Sequence, residues 1–479
     1  MLGSSKWHAL RTNSLNIFSE AIMRIPDPIL FNVMEWLLEK GMAMPDGRAF
    51  ILKLAHEIKS HWHSLHPNVR RRFVNNLFGN VMLFSGDKHK AVIKKLGDWP
   101  AIMVVSPTMR CNLACKGCYS ANYNREDAIS TERFDRLLTE CEELGIYFVV
   151  VSGGEPYLRR DLLDMFEKHH DIEFMTYTNG TIISKKHLAP RLAELGNVIP
   201  CISVEGFEEE TDARRGKGVY KHVMNAMDEL REAGVIFGFS ATPMRHNNDL
   251  LVSDEFIDYY ISKGAMIGWY FSYMPVGRDP NLDLMPTPEQ RLYRMHRIRE
   301  IRSTKPIVAA DFWADGELSG GCLSGGRVYF HVNASGGVEP CVFQQFSVDN
   351  ILEKPLIETL NSPYFRNMRE QIAKFDNPLS PCPVIDHPEV LRDSVRRFHA
   401  KPAQPGADRL LDEDIAKGLD KYAADLKKVM DPEFAKRAAN FKWSYTQRGG
   451  APGTAYFNNK KDEKATSQKE KKAAASTGK

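Results

Sequence analysis

The sequence predicts an α/β core, a partial (β/α)6 barrel of the TIM type, preceded by helices and followed by a smaller region of different texture. Three observations carry this reading. From about residue 98, short apolar runs alternate with amphipathic helical stretches, the pattern of successive βα units. Gly145, Gly196, Gly234 and Gly264 each follow a helical stretch, where a left-handed terminating residue is wanted. Units in unbroken succession call for parallel strands joined by right-handed crossovers, and such units close into a barrel with its working face at the C-terminal strand ends.

The elements follow in order. Strands are expected near 101–108, 147–152, 173–178, 198–204, 235–242 and 267–273, with helices near 131–144, 160–169, 185–195, 220–233 and 253–263. Thr131 reads as a helix N-cap, with Glu132 in the first turn. A further helix is expected over 286–303 and a strand over 306–313. Beyond these, 327–332 and 337–342 read as a hairpin turning at Asn333-Ala334-Ser335-Gly336. Residues 410–445 read as a charged helix, and 458–479, rich in Lys, Glu, Ala and Ser without periodicity, as disordered.

Residues 1–97 read as helical, interrupted by Pro26 and Pro28. Ile29, Leu30, Val33, Met34, Trp36, Leu37 and Leu38 form a wide apolar face there. That face suits a cap packed on the barrel; its alternative is a surface for a membrane or a partner. The division expected is 1–97 helical, 98–304 barrel, 305–395 a smaller cysteine-bearing domain, 396–457 charged helices and 458–479 tail.

Composition sets outer limits. Hydrophobic content of 43% and charged content of 26% are those of an ordinary globular protein. A net charge of +3 is too small to argue for nucleic acid, and Arg70-Arg71-Arg72 reads as a solvated face. No secretory signal and no apolar run of membrane-span length is apparent, so a cytoplasmic protein is expected, with peripheral membrane contact through 1–97 as the variant. Thiols in that compartment stay reduced, so clustered cysteines read as metal ligands rather than disulfides.

Three of the eight cysteines, Cys111, Cys115 and Cys118, lie in one loop after the first expected strand. At C-x3-C-x2-C spacing, three thiolates can hold three irons of a [4Fe–4S] cluster and leave the fourth iron open. A zinc half-site needs a second ligand pair nearby, but the next cysteine, Cys141, falls inside an expected helix. One unit on, the second strand ends in Gly153-Gly154-Glu155-Pro156. Two glycines let a backbone approach a ligand closely, and the glutamate can receive an ammonium group.

These residues resemble the radical S-adenosylmethionine (SAM) superfamily. The resemblance rests on Cys111, Cys115, Cys118 and Tyr119, on Gly153–Pro156, on Thr178-Asn179-Gly180, on Ser203-Val204-Glu205-Gly206, on Arg215-Gly216 and on Pro275-Val276-Gly277-Arg278. It implies a [4Fe–4S] cluster on the three cysteines, with SAM chelated at the open iron. It further implies that Gly153, Gly154, Glu155 and Pro156 hold the methionyl amine, and that Ser203 and Arg215 reach the ribose or carboxylate. Tyr119, Thr178 and Asn179 fall among the cofactor contacts on the same ground. Glu205 stands where relatives more often carry aspartate.

Cys322, Cys341 and Cys382 resemble the auxiliary-cluster extension called SPASM or twitch, closer to the shorter twitch type with one further [4Fe–4S] cluster. Three cysteines again leave one iron for water, substrate or a side chain such as Asp386 or His387. Cys141 and Cys201 read as structural. His331, Asp311, Asp315 and Glu317 receive no catalytic role. The family likeness implies reductive SAM cleavage to a 5′-deoxyadenosyl radical, hydrogen abstraction from substrate, and an electron donor such as flavodoxin or ferredoxin. A peptide or protein substrate is favoured over a small molecule, cofactor or lipid. A non-catalytic electron-transfer protein is the reading from another class, and the SAM-contacting motifs argue against it.

Overall fold

The computed structural model describes residues 17, 19–41, 45–438, 441–444 and 456–459. Seven strands, β1 (Ile102–Val105), β2 (Phe148–Val151), β3 (Glu173–Thr178), β4 (Val198–Val204), β5 (Gly238–Ala241), β6 (Ile267–Tyr270) and β7 (Val308–Asp311), lie side by side in chain order. All pair in parallel, with helices in each crossover. The six expected βα units are present, and the strand expected over 306–313 continues them beside β6. Most strands are shorter than the apolar runs that announced them. The first ends at Val105 because Pro107 cannot donate to a ladder.

The other edge of the barrel is closed from an unexpected quarter. The hairpin β8 (Tyr329–Val332) and β9 (Gly337–Glu339) joins the same sheet, β8 running parallel to β1 from Ile102↔Tyr329 to Val105↔Val332. After β10 (Phe346–Ser347), strand β11 (Asp349–Asn350) adds to β9, giving a ten-stranded sheet. The hairpin turns where expected because the Asn333 side-chain oxygen accepts from the Ser335 and Gly337 amides. The sheet's two flanks also approach each other: the ring of Phe312, just past β7, lies 6.1 Å from that of Tyr329 on β8.

Local departures have local causes. Ser130, not Thr131, caps the helix Thr131–Glu143: its extended backbone lets the hydroxyl accept from the Arg133 amide, while the Thr131 hydroxyl donates to Asp161. The helix expected over 185–195 is two, Thr181–Lys186 and Ala189–Leu195, separated at the left-handed His187 (φ 51°) shortly before Pro190. The C-terminal helix Glu413–Ala438 stops short of 445. Phe441–Ser444 instead pairs antiparallel with Tyr456–Asn459, which includes the first two residues of the segment expected to be disordered. Aromatic-rich sequence favours the extended form there. Residues 460–479 lie outside the described part, as do 1–16 of the N-terminal helical stretch.

The helices Asp27–Gly41, Pro45–His61, Pro67–Phe73 and Gly86–Leu96, with a π-helical segment Val74–Phe84, precede β1. Ile58, Trp62, Leu65, Val69, Phe73 and Val74 share one buried cluster with the barrel residues Val150, Met175, Ile199, Cys201, Ile236 and Met266. The His66 amide donates to Gly234 O and the Asn68 amide group to Glu194 O, at the loops that enter β5 and β4. The helices therefore cap the barrel at the end opposite the cysteine loop. On Asp27–Gly41, Ile29, Val33 and Trp36 are 58%, 50% and 53% exposed and spaced along one face. No described helix is long and apolar enough to cross a membrane.

Candidate active site at the cysteine loop

The end of β2 is fastened to the entry of the cysteine loop. The Ser152 amide donates to Val105 O at 2.8 Å, Gly154 to Thr108 O at 3.0 Å, and Glu155 to Arg110 O at 2.7 Å. This contact explains both glycines. A Cβ on Gly154 would stand 2.1 Å from Arg110 O, and one on Gly153 (φ 111°) 2.5 Å from Thr108 O. The backbone that needs close approach is thus the loop bearing Cys111. From the other side, the Arg278 amide donates to Cys118 O, and Gly277 lies where any Cβ would meet that carbonyl at 2.3 Å.

One cavity of about 220 Å³ opens at these strand ends and runs into the barrel. Cys111, Cys115, Cys118, Tyr119, Gly153, Gly154, Thr178, Asn179, Ser203 and Arg215 all line it. Glu155 and Pro156 do not. Pro156 is buried at the start of a short 3-10 turn. The Glu155 carboxylate accepts from Thr178 Oγ1 (2.7 Å), the Asn179 amide (2.8 Å) and the Tyr157 amide (3.2 Å). Burial pushes its pKa up to about 7 against these bonds. Glu155 therefore ties the ends of β2 and β3 together beneath the cavity. Its neighbour Asn179 donates to the Asn112 side chain inside the loop.

Beyond β4, one oxygen of the buried Glu205 carboxylate takes both arginines. Arg214 bonds it, and Arg215 approaches through Nε at 2.9 Å and a terminal nitrogen at 2.5 Å. The other oxygen, Oε2, finds no partner among the described residues. Ser203 faces Ser240 at 3.4 Å on the next strand. Tyr119 donates to or accepts from Ser152 Oγ at 2.8 Å, and burial pushes its phenol up to about 12, so it stays protonated.

The second cysteine set converges beside this cavity. Cys322, Cys341 and Cys382 are near enough that each of the other two adds to the upward push that burial gives Cys382. Sulfur-directed donors sit two residues on at five of the six cysteines of the two sets. The Leu113 amide serves Cys111, the Phe343 amide Cys341 and the Val384 amide Cys382, while the Ser120 and Ser324 hydroxyls face Cys118 and Cys322. Cys141 is buried against Met103 and Cys201 lies within a strand, as befits structural thiols. Asp386 is taken up by Arg291 (2.6 and 3.2 Å) and the Cys382 amide, and His387 by Ser380 O and a stacked Phe375.

Residues 105–250 match the family described as radical SAM superfamily, and 322–383 the one described as SPASM, an iron–sulfur cluster-binding domain. The mycofactocin maturase MftC of Mycolicibacterium smegmatis is 31% identical over 294 residues, covering 57% of this chain and 73% of that protein. This chain belongs to the radical SAM superfamily. It carries the SPASM domain, and its cofactors are SAM, a [4Fe–4S] cluster and auxiliary iron–sulfur chemistry. An AdoMet-dependent heme synthase of Nitratidesulfovibrio vulgaris is 26% identical over 309 residues, 57% of this chain and 82% of that protein. Streptococcus suis SuiB bound to S-adenosylmethionine shares the fold, with a TM-score of 0.52 at 20% identity over 62% of this chain and 75% of that one.

The donor sets fit such clusters on this radical SAM scaffold. Around the auxiliary cysteines, Gln344 Nε2, Trp313 Nε1, Tyr364 OH and Ser380 Oγ are buried without a partner among the described residues. Tyr364 is close enough to Cys341 for that thiol to raise its pKa, and Trp313 packs on Phe343. Each orphaned donor costs roughly 1–3 kcal/mol, and an acceptor-rich sulfide cluster in their midst would satisfy them. Several lining residues escaped the sequence reading: Arg214, Tyr273, Trp269, Phe271, Phe312 and Phe343. Arg214 was adjacent to a recognised motif. Trp269, Phe271, Tyr273 and Phe312 read as ordinary strand residues and Phe343 falls just past the expected strand 337–342; only the folded sheet brings them to the cavity.

Proposed function

We propose that this enzyme generates its radical at Cys111, Cys115 and Cys118 and directs it at a C–H bond of an apolar group held in the barrel. The observation that carries this is the single cavity shared by the cysteine loop, the Gly153-Gly154 strand end and residues of the auxiliary region, Leu323, Val342 and Phe343. In this reading SAM, when bound, supplies a 5′-deoxyadenosyl radical by one-electron cleavage of its sulfonium, with the electron from a donor such as flavodoxin or ferredoxin. The chain's own residues bind and orient. The β2 end offers backbone to the methionyl group, Arg215 and Ser203 face the polar half of the cofactor, and Thr178 and Asn179 keep the loop between them in place. Trp269, Phe271, Phe312 and Phe343 line the chamber with apolar rings that limit water there.

A polypeptide side chain is the substrate supported by kinship, since the 31% identical relative is a maturase by name. A second reading has its own observation. The exposed Ile29, Val33 and Trp36 face would seat residues 27–41 on a membrane, and an aliphatic lipid would suit the apolar chamber. One experiment separates them: SAM turnover with dithionite, measured as 5′-deoxyadenosine release, in the presence of synthetic peptides or of phospholipid vesicles. Stimulation by peptides with deuterium transfer from a labelled side chain supports the first reading. Stimulation by vesicles alone replaces it with the second, and no 5′-deoxyadenosine under any condition removes both.

A further inference from the structure

Tyr329 occupies the wall between the two cysteine sites. It lies on β8 opposite Ile102 of β1, and both residues line the barrel cavity. Its ring meets Phe312 at 6.1 Å on the cavity side. Its hydroxyl points the other way and donates to Cys341 Sγ at 2.7 Å. The residue is 5% exposed, so the bond is largely shielded from bulk solvent. Cys341 also receives the Phe343 amide at 3.4 Å. Phe343 in turn meets the ring of Tyr119 at 5.3 Å, next in sequence to Cys118.

We propose that Tyr329 is a positioning residue that sets the auxiliary cluster's reduction potential from the wall of the substrate chamber. The proposal rests on Cys322, Cys341 and Cys382 being the auxiliary ligands. An O–H donated to a thiolate sulfur withdraws electron density from it and stabilises the more negative, reduced cluster, so the potential rises. Because the same ring faces the chamber, whatever fills the chamber presses on the residue that holds this bond. The auxiliary cluster is thereby made easier to reduce, and its potential becomes responsive to occupancy.

The test uses the full chain with Cys111→Ala, Cys115→Ala and Cys118→Ala, so that only the auxiliary cluster is loaded. Redox titration followed by electron paramagnetic resonance should show a lower potential after Tyr329→Phe, with iron content still about four per chain. In heavy water, exchangeable deuterons should couple to the reduced cluster, and Tyr329→Phe should remove one of these couplings while those of the Phe343 and Val384 amides and the Ser324 hydroxyl remain. An unchanged potential, or a set of deuteron couplings identical to the parent's, overturns the proposal. Loss of iron in Tyr329→Phe also overturns it, since the residue is then structural. Full iron in the parent after Cys341→Ala would instead mark the ligand assignment as the part that failed.

Discussion

Gly154→Ala is the sharpest perturbation of the site, because its target is backbone. The added Cβ would sit 2.1 Å from Arg110 O and 2.6 Å from the Arg110 carbonyl carbon, and neither can rotate away. Relief requires β2 and the loop entry to part. That breaks the bond from the Gly154 amide to Thr108 O and the bond from Glu155 to Arg110 O. Two bonds lost with their groups still largely buried cost about 2–5 kcal/mol. At a factor of ten per 1.4 kcal/mol, the opened loop becomes roughly 30- to several-thousand-fold more populated. The folded state is weakened by the same amount, so the melting temperature should fall by several degrees without loss of the fold. Anaerobically reconstituted Gly154→Ala should lose the loop cluster to a chelator far faster than the parent and release little 5′-deoxyadenosine, with the auxiliary iron retained. Parent-like cluster retention and turnover would refute the idea that these glycines serve the contact between strand and loop.

Other outcomes follow from the same geometry. Reconstitution should give close to eight irons per chain, falling to about four when Cys322, Cys341 and Cys382 are all replaced by alanine; an unchanged count would remove the auxiliary assignment. Arg215→Met should weaken SAM binding measured by calorimetry while Glu205 keeps Arg214 as its partner, and adding Glu205→Gln should lower stability further, because Arg214 then faces a neutral partner. Glu173, buried beside Asn76, has its pKa pushed up to about 8 by burial, so the folded state holds its proton more tightly than the unfolded chain. That stability is fully present below about pH 4.3 and is lost as pH rises to about 8, on the order of 5 kcal/mol in all. Glu173→Gln should therefore flatten the fall in melting temperature between pH 6 and pH 9; an equally steep fall would contradict this. Ile29→Ser with Val33→Ser and Trp36→Ser should abolish any flotation of the full chain with anionic vesicles, and flotation that persists would move the contact elsewhere.

Much of the site was legible because its signals are local. The spacing of Cys111, Cys115 and Cys118 and the Gly153-Gly154 pair are written in adjacent residues, and the folded chain brings both to one cavity. What escaped depends on long-range pairing. Nothing near Tyr329 says that β8 will lie against β1, more than 220 residues earlier, or that its hydroxyl will meet Cys341. The same holds for the buried link of Ser106, His331 and Glu339, which fastens β1 to the hairpin through bonds of 2.8 and 2.7 Å. His331, which the sequence gives no catalytic role, is a buried strand residue held in this link. Glu155 shows the converse limit. Its motif implies a ligand contact, and the fold adds bonds to its carboxylate from Thr178 and the Asn179 amide, a partnership visible only once β3 lies beside β2.

The most direct test of the whole account is 5′-deoxyadenosine release from SAM and dithionite by the anaerobically reconstituted chain, compared with Cys115→Ala. The parent should release 5′-deoxyadenosine and the variant none above background, with the variant still holding its auxiliary iron. Equal release from Cys115→Ala would contradict the placement of radical chemistry at this loop.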